Sequence, residues 1–509
     1  MKGDRLQDAL GMIDANLISR AAKEVPKKNR TPIKWISAIA AVLVLAIGVG
    51  VLFGSGVMES ILPKQPGSSN QGVGWPPNQA GDLIIPSRKP GEQIVVSPTK
   101  YTVMSATYPL QVQYPRDNPN DSERREAWWQ SIFERRQYYG SGASLQSFFE
   151  DSISTFLSDC GNETVVYSPL NVYMALAMLA ECGAGNTRQQ ILDLFNVESI
   201  EALRTQVHSV WKANYSDDGL VTSLLANSVW MNQDISYRED AIQNLVKYHF
   251  ASAYQGKMGS NGYNQALRQW LNDQTGGLLK NQIDHIELTP DTVLALYSTI
   301  YFEAFFVSKF REEQTTQKKF YSPMGATSCD YMIGTDYSAS YYWGEKFTAA
   351  SKSLQGSGDI IFILPDQGVS VQELLKDVEA LSLVANTGYS WTNERSVIVN
   401  FEIPKFKVSS NLDLVEKLKA LGVTDCFDAG TADFSPLSGK NGIYVSSVRH
   451  GATVTLHEEG VLGAAYTELI MGGGMPPEEE VDFILNRPFI FVIRGADHLP
   501  LFVGVVNQI

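Results

Sequence analysis

Residues 458–493, EEGVLGAAYTELIMGGGMPPEEEVDFILNRPFIFVI, carry the pattern on which the reading of this chain turns. No proline interrupts the run from Val461 to Met471. Its alternate positions fall into two sets: Val461, Gly463, Ala465, Thr467, Leu469 and Met471, against Leu462, Ala464, Tyr466, Glu468 and Ile470. Successive side chains of a strand point to opposite faces, and the set that a sheet buries must be small or apolar, a demand this pattern meets. The small triplet Gly463-Ala464-Ala465 keeps the backbone mobile. On composition alone the same Gly/Ala-rich stretch also reads as a flexible surface loop.

Working outward, the 509-residue chain is 44% apolar and 10% aromatic, the composition of a folded protein with a large core. Its 41 Lys+Arg against 55 Asp+Glu leave a net charge of −14, which argues against a nucleic-acid partner because phosphate binding needs a basic face. From Ser144 onward helical spacing, as in Leu145, Phe148, Phe149, Ile153 and Leu157, gives way to short apolar strands alternating with helices. That pattern predicts an α+β domain over 143–509. No repeat of 20 to 50 residues is present, which sets aside solenoids and propellers.

Trp35–Phe53, WISAIAAVLVLAIGVGVLF, is 19 residues without a charge. At ~1.5 Å per residue it matches a hydrocarbon layer of roughly 30 Å and predicts one transmembrane helix. Lys23, Lys27, Lys28, Arg30 and Lys34 precede it, so residues 1–34 are expected in the cytoplasm and the C-terminal bulk outside. A buried core helix and a cleaved signal peptide are the rival readings. The long segment before the apolar run, and the length of that run, favour a retained anchor. Residues 54–142 read as an extracellular linker and N-terminal extension. The first part is rich in Pro, Gly, Ser and Asn, whereas Tyr101, Tyr108, Tyr114, Trp128 and Trp129 are too aromatic for a tether and suggest packing on the following domain.

No Gly-x-Ser-x-Gly elbow, phosphate loop, dinucleotide fingerprint or paired metal-ligand motif occurs. His457-Glu458 opens like a zinc-protease motif, but Val461 stands where the second His is needed one helical turn later. No metal, no cofactor and no enzymatic activity are expected. Cys160, Cys182, Cys329 and Cys426 form no CxxC pair and read as buried free thiols, one long-range disulfide being the alternative.

Two motifs within 458–493 are specific. Glu458-Glu459-Gly460 resembles the hinge of the serpin reactive loop, and Phe483–Ile493, with Asn486, Arg487, Pro488 and Phe489, closely resembles the C-terminal serpin signature. Supporting stretches are Val165–Leu192 with Ser168-Pro169 and Gly185-Asn186-Thr187, Ala226–Trp230, and Leu267–Gly277, similar to the helix F region. Val399–Phe406 is similar to a strand-to-helix passage of the family. The resemblance implies a serpin fold: a large central mixed sheet, further sheets, about eight or nine helices and an exposed reactive loop.

It also implies a mechanism. A protease attacks the loop, forms an acyl-enzyme, and is distorted as the cut loop inserts as a new strand. The implied hinge is Glu458, Glu459, Gly460, Val461, Gly463, Ala464 and Ala465, and family spacing puts the cut within Met471, Gly472, Gly473, Gly474 and Met475. His450 matches the family's shutter histidine, with Ser168 and Ser298 beside it. Departures are Val461 for Thr/Ser, Leu462 for an acid, Asn171 for Ser, Ser298 for Asn, and Phe306 where a Trp fills the breach at the top of the sheet. No Lys or Arg lies between Arg449 and Arg487, so a trypsin-like partner is not expected. An elastase- or subtilisin-like serine protease, or a papain-like cysteine protease, is. The expected protein is an inhibitor on the outer face of a membrane, with a Gram-positive surface the natural setting. The alternative is a non-inhibitory serpin acting in surface binding or adhesion.

Overall fold

The computed structural model describes residues 99–509 apart from 279–282, 285, 389, 441 and 462–476. The chain divides into two units, 1–83 and 84–509, and the described residues lie in the second. The expected cytoplasmic segment 1–34, the span Trp35–Phe53 and the linker as far as residue 98 fall outside them. Among the described residues no helix is long and apolar enough to cross a membrane.

Seventeen strands and ten α-helices are described, one helix more than the upper expectation. In chain order the strands are β1 Thr102–Met104, β2 Val165–Tyr167, β3 Ser216–Asp217, β4 Val221–Asn232, β5 Ala251–Gly256, β6 Leu294–Phe305, β7 Thr316–Ser322, β8 Gly325–Trp343 and β9 Phe347–Ser353. There follow β10 Asp359–Pro365, β11 Glu394–Pro404, β12 Phe406–Asp413, β13 Arg449–His457, β14 Gly460–Val461, β15 Glu480–Ile484, β16 Phe489–Arg494 and β17 Pro500–Val506.

They form two mixed sheets. The first runs β1-β5-β4-β6-β14-β13-β12, with β3 on β4; the second runs β15-β11-β8-β9-β10-β16-β17-β2, with β7 on β8. Among the described residues a single further sheet therefore accompanies the central one. The 19-residue β8 makes it continuous, because it pairs β7 at its start, β11 along most of its length and β9 at its end. Val399–Phe406 runs from strand to strand: β11 ends at Pro404 and β12 begins at Phe406, which corrects the expected strand-to-helix passage. Proline lacks the N–H that a ladder or helix needs, and here it marks the break between two strands.

The helix Pro169–Cys182 is buried nearly all round and packs on β6 of the first sheet and β17 of the second, so it joins the two layers in one core. Ser168 caps it, accepting from the Asn171 amide at 3.3 Å, and Pro169 occupies the first turn, where no N–H is required. The helix Gln146–Leu157 buries Phe148, Phe149, Ile153 and Leu157, as its spacing predicts.

Tyr101, Tyr108, Tyr114, Trp128 and Trp129 each meet another aromatic ring. β1 adds an edge strand to β5. Tyr108 stacks at 5.6 Å on both Trp211 and Tyr215. The Tyr114 amide donates to the Asp218 carbonyl at 2.7 Å, and its ring meets the edge of Trp128 at 5.2 Å. Trp128 belongs to the helix Ser122–Arg135, whose Arg135 reaches Asp218 at 3.6 Å. Farther back, the Arg116 guanidinium lies 5.6 Å over the Phe305 ring at the end of β6.

Candidate functional site: a slot in the first sheet

The hinge is a two-residue hairpin turn. β13 ends at His457, Glu458 and Glu459 turn the chain, and Gly460 pairs back on His457. Gly460 and Val461 then pair on their other side with Phe305 and Ala304 of β6. β14 is antiparallel to both flanking strands, so β6 and β13 are parallel to each other, and among the described residues no ladder joins them directly. Only glycine fits at 460. Its φ is +154°, and a Cβ there would overlap the Ala304 carbonyl and lie 2.8 Å from Phe305 Cα. Val461 is 3% exposed and faces the main core together with Ala304 and Leu456.

Charge and backbone both hold the turn. The buried Glu458 carboxylate accepts from Thr315 Oγ1 at 2.8 Å and Lys405 Nζ at 3.0 Å. Burial pushes its pKa up, but these bonds outweigh burial and leave it below the ordinary carboxylate range. The Glu458 carbonyl accepts from the Phe310 amide at 3.0 Å, and the Glu459 carbonyl from the Phe306 amide at 2.8 Å. The Glu459 carboxylate pairs with Lys309 at 3.1 Å. Lys405→Ala leaves the buried carboxylate short of a charged donor and is expected to lower stability by about 1–3 kcal/mol, read by thermal unfolding.

Lower in the slot, His450 Nε2 accepts from the Ser168 amide at 3.0 Å, and the Tyr167 ring stands edge-on to the imidazole at 5.5 Å. His450 therefore ties β13 to the cap of the central helix. Ser298 sits on β6 opposite Asn227 of β4, across the slot from β13.

Burial lowers the His450 pKa to about 4. The unfolded chain takes up a proton near 6.5 that the folded chain refuses. The contribution of His450 is thus complete above pH 6.5 and is lost as pH falls from 6.5 through 4, by ~3 kcal/mol at the end. Asp497 has the opposite sign: burial raises it to about 7, so its contribution is present below the ordinary carboxylate value and lost as pH rises through 7. His450→Asn should flatten its own part of the profile. The gap in melting temperature between wild type and variant is expected to narrow from pH 7.5 to pH 4.5.

The loop's far end is rooted in the second sheet. The Ile398 amide donates to the Glu479 carbonyl at 2.8 Å, Arg395 pairs with the Glu479 carboxylate at 2.8 Å, and β15 then runs parallel to β11. The expected signature residues form its anchor. The Asn486 carbonyl accepts from the Tyr321 amide at 2.8 Å, Arg487 Nη2 donates to the Pro365 carbonyl at 2.7 Å, and Pro488 leads into Phe489, buried among Phe320, Phe362 and Phe406. Of the expected hinge, Glu458 to Val461 are placed as described. Gly463, Ala464 and Ala465, and the window Met471, Gly472, Gly473, Gly474 and Met475, lie outside the described residues. Thr315, Lys405 and Lys309, which hold the hinge, had no local signal in the sequence. All four cysteines are free thiols, three buried and Cys160 half-buried.

The hinge is thus a hairpin wedged between two parallel strands, and the chain that follows the loop is rooted in the second sheet. Residues 145–509 match the family model described as Serpin (serine protease inhibitor), and the chain belongs to the serpin family. Serpins are protease inhibitors rather than enzymes, and this chain is one of them. It is 29% identical over 364 residues to the leukocyte elastase inhibitor of Equus caballus, covering 67% of this chain and 92% of that protein. It is 26% identical over 352 residues to Serpin B3 of Homo sapiens, covering 65% and 89%. Among solved structures, the thermophilic serpin Tengpin in its native state superposes with a TM-score of 0.63 at 25% identity, covering 72% of this chain and 93% of that one.

Proposed function

We propose that the chain is a suicide-type inhibitor on the outer face of a membrane, and that it captures a serine protease of elastase or subtilisin type, or a papain-like cysteine protease, as a covalent acyl-enzyme. The observation that carries this reading is the slot. Among the described residues, β6 and β13 each turn a strand edge towards β14, which there supplies two residues. Unpaired backbone groups in a buried sheet are costly, so a longer β14 is favoured once a cut frees the loop.

Continued in the register of β14, the inserted strand places Gly463 beside Phe302, Thr467 between Ser298 and His450, and Leu469 beside Leu296. The set led by Val461 faces the core. Leu462, Ala464, Tyr466 and Ile470 face the helix Asn261–Gln274, whose Trp270 and Leu267 already cover Ala295 and Tyr297. Glu468, the one charged residue between Val461 and Met471, comes beside Arg449, so its charge meets an opposite one.

The similarity to the leukocyte elastase inhibitor and the absence of Lys and Arg from the loop both support a target that does not require a basic residue. Trp35–Phe53 would tether the inhibitor at the cell surface, as on a Gram-positive bacterium. The test is incubation of the full chain in detergent with an elastase, a subtilisin and papain, followed by denaturing electrophoresis. A higher-mass band that survives denaturation is expected. Cleavage by all three with no such band, and no gain in thermal stability of the cut chain, would point to a non-inhibitory surface-binding serpin instead. Protease accessibility in intact cells tests the orientation.

A further inference from the structure

Lys352 on β9 is buried, with 2% of its surface exposed. Its Nζ lies 4.6 Å from the ring centroid of Phe310, 5.2 Å from that of Phe306 and 5.4 Å from that of Phe401. Its ion-pair partner among the described residues is Asp336, at 3.5 Å. An ammonium withdrawn from water is costly, and here three aromatic faces and one carboxylate offset that cost. Burial holds its pKa below the usual lysine range despite Asp336.

The rings that enclose this cation belong to the residues that hold the hinge. The Phe306 and Phe310 amides donate to the carbonyls of Glu459 and Glu458. Between them, the Val307 amide donates to the carbonyl of Ser353, the neighbour of Lys352, at 2.9 Å, and Phe306 forms a bridge with Leu354. The segment 306–310 is thus a strap, with its amides on the hinge and two of its rings on Lys352.

On the inhibitory reading above, we propose that Lys352 is a positioning residue for loop insertion: its cation–π cage fixes the strap that seats the first inserted residues, and so sets how fast the cut loop follows them into the slot. The acyl-enzyme partitions between hydrolysis and trapping according to that rate. The strap does not touch the protease, so acylation itself is independent of the cage.

The experiment uses the full chain in detergent with whichever protease the wild type traps, and compares Lys352→Met, Phe310→Leu and the double variant. Methionine keeps the length and removes the charge. The moles of inhibitor consumed per protease trapped should rise about fivefold in Lys352→Met, the effect of a modest increase in the insertion barrier. Its acylation rate should be unchanged, whereas its melting temperature should fall, because removing one partner of a buried pair leaves the Asp336 carboxylate without its charged partner. A residue with a merely structural role would not separate these quantities. The double variant should be no worse than either single one, since both break the same contact.

Unchanged consumption in Lys352→Met, or additive effects in the double variant, would overturn the proposal. Should the wild type trap none of the proteases, the inhibitory reading fails by itself, and the cage is then judged on the cut chain. A slower gain in thermal stability after loop cleavage in Lys352→Met supports it; equal rates, or no gain in either protein, overturn it.

Discussion

Val461→Arg is expected to turn the inhibitor into a substrate. Val461 is packed between Ala304 and Leu456 at the start of the slot, in the main core. A guanidinium there would have to leave water without a partner, a cost of several kcal/mol. The strand could not seat its first inward side chain, while the expected cleavage window, at least ten residues farther along, would remain intact. The protease should cut the variant at the wild-type rate, but the covalent complex should fall by at least tenfold on denaturing gels. Val461→Ala, which fits the same space, should keep most of the complex. A Val461→Arg variant that still traps its protease would show that insertion does not pass through this slot.

Removal of residues 1–142 is expected to be as damaging as the family boundary near residue 145 makes it look harmless. The cut would strip β1 from the edge of β5, uncover Trp211 and Tyr215, and leave Asp218 without Arg135. Trp128, Ile132 and Tyr114 bury their side chains around Leu220. At ~1.5–3 kcal/mol for each large side chain buried, the loss is comparable with the whole stability of an ordinary domain, about 5–15 kcal/mol. A chain beginning at residue 143 should be insoluble or melt far below one beginning at residue 99, as measured by circular dichroism. Equal melting temperatures would mean that the extension is a passenger.

That contrast shows what could be read in advance. Ser168-Pro169 declares a helix start because a capping hydroxyl and a proline in the first turn each suit one position, and Phe489–Ile493 declares a buried strand by unbroken apolarity. The hinge glycine was legible only through the resemblance of Glu458-Glu459-Gly460 to the family's hinge. Its holders were not, because Thr315 lies 143 residues and Lys405 53 residues from Glu458, and a lone lysine carries no sign of its partner. Tyr101, Tyr108 and Tyr114 signalled packing by their number without revealing the surface that receives them. β8 was obscure for another reason: it serves one sheet along 19 residues with three different neighbours, so its burial does not alternate cleanly.

The rooting of the loop in two different sheets has a consequence for chemical reversibility. After a cut near residues 471–475, the new amino terminus belongs to a fragment that supplies β15, β16 and β17, and β16 lies between β10 and β17 inside the second sheet. The leaving group cannot diffuse away. An amine tethered in this way acts at a high effective concentration, of order millimolar for a short flexible link, and can attack the acyl-enzyme to rejoin the chain. Hydrolysis is therefore not the sole competitor of trapping; religation is another. On the inhibitory reading, each residue that the upstream half draws into the slot carries the acyl bond away from that waiting amine, so the first sheet commits a bond that the second would otherwise allow to re-form.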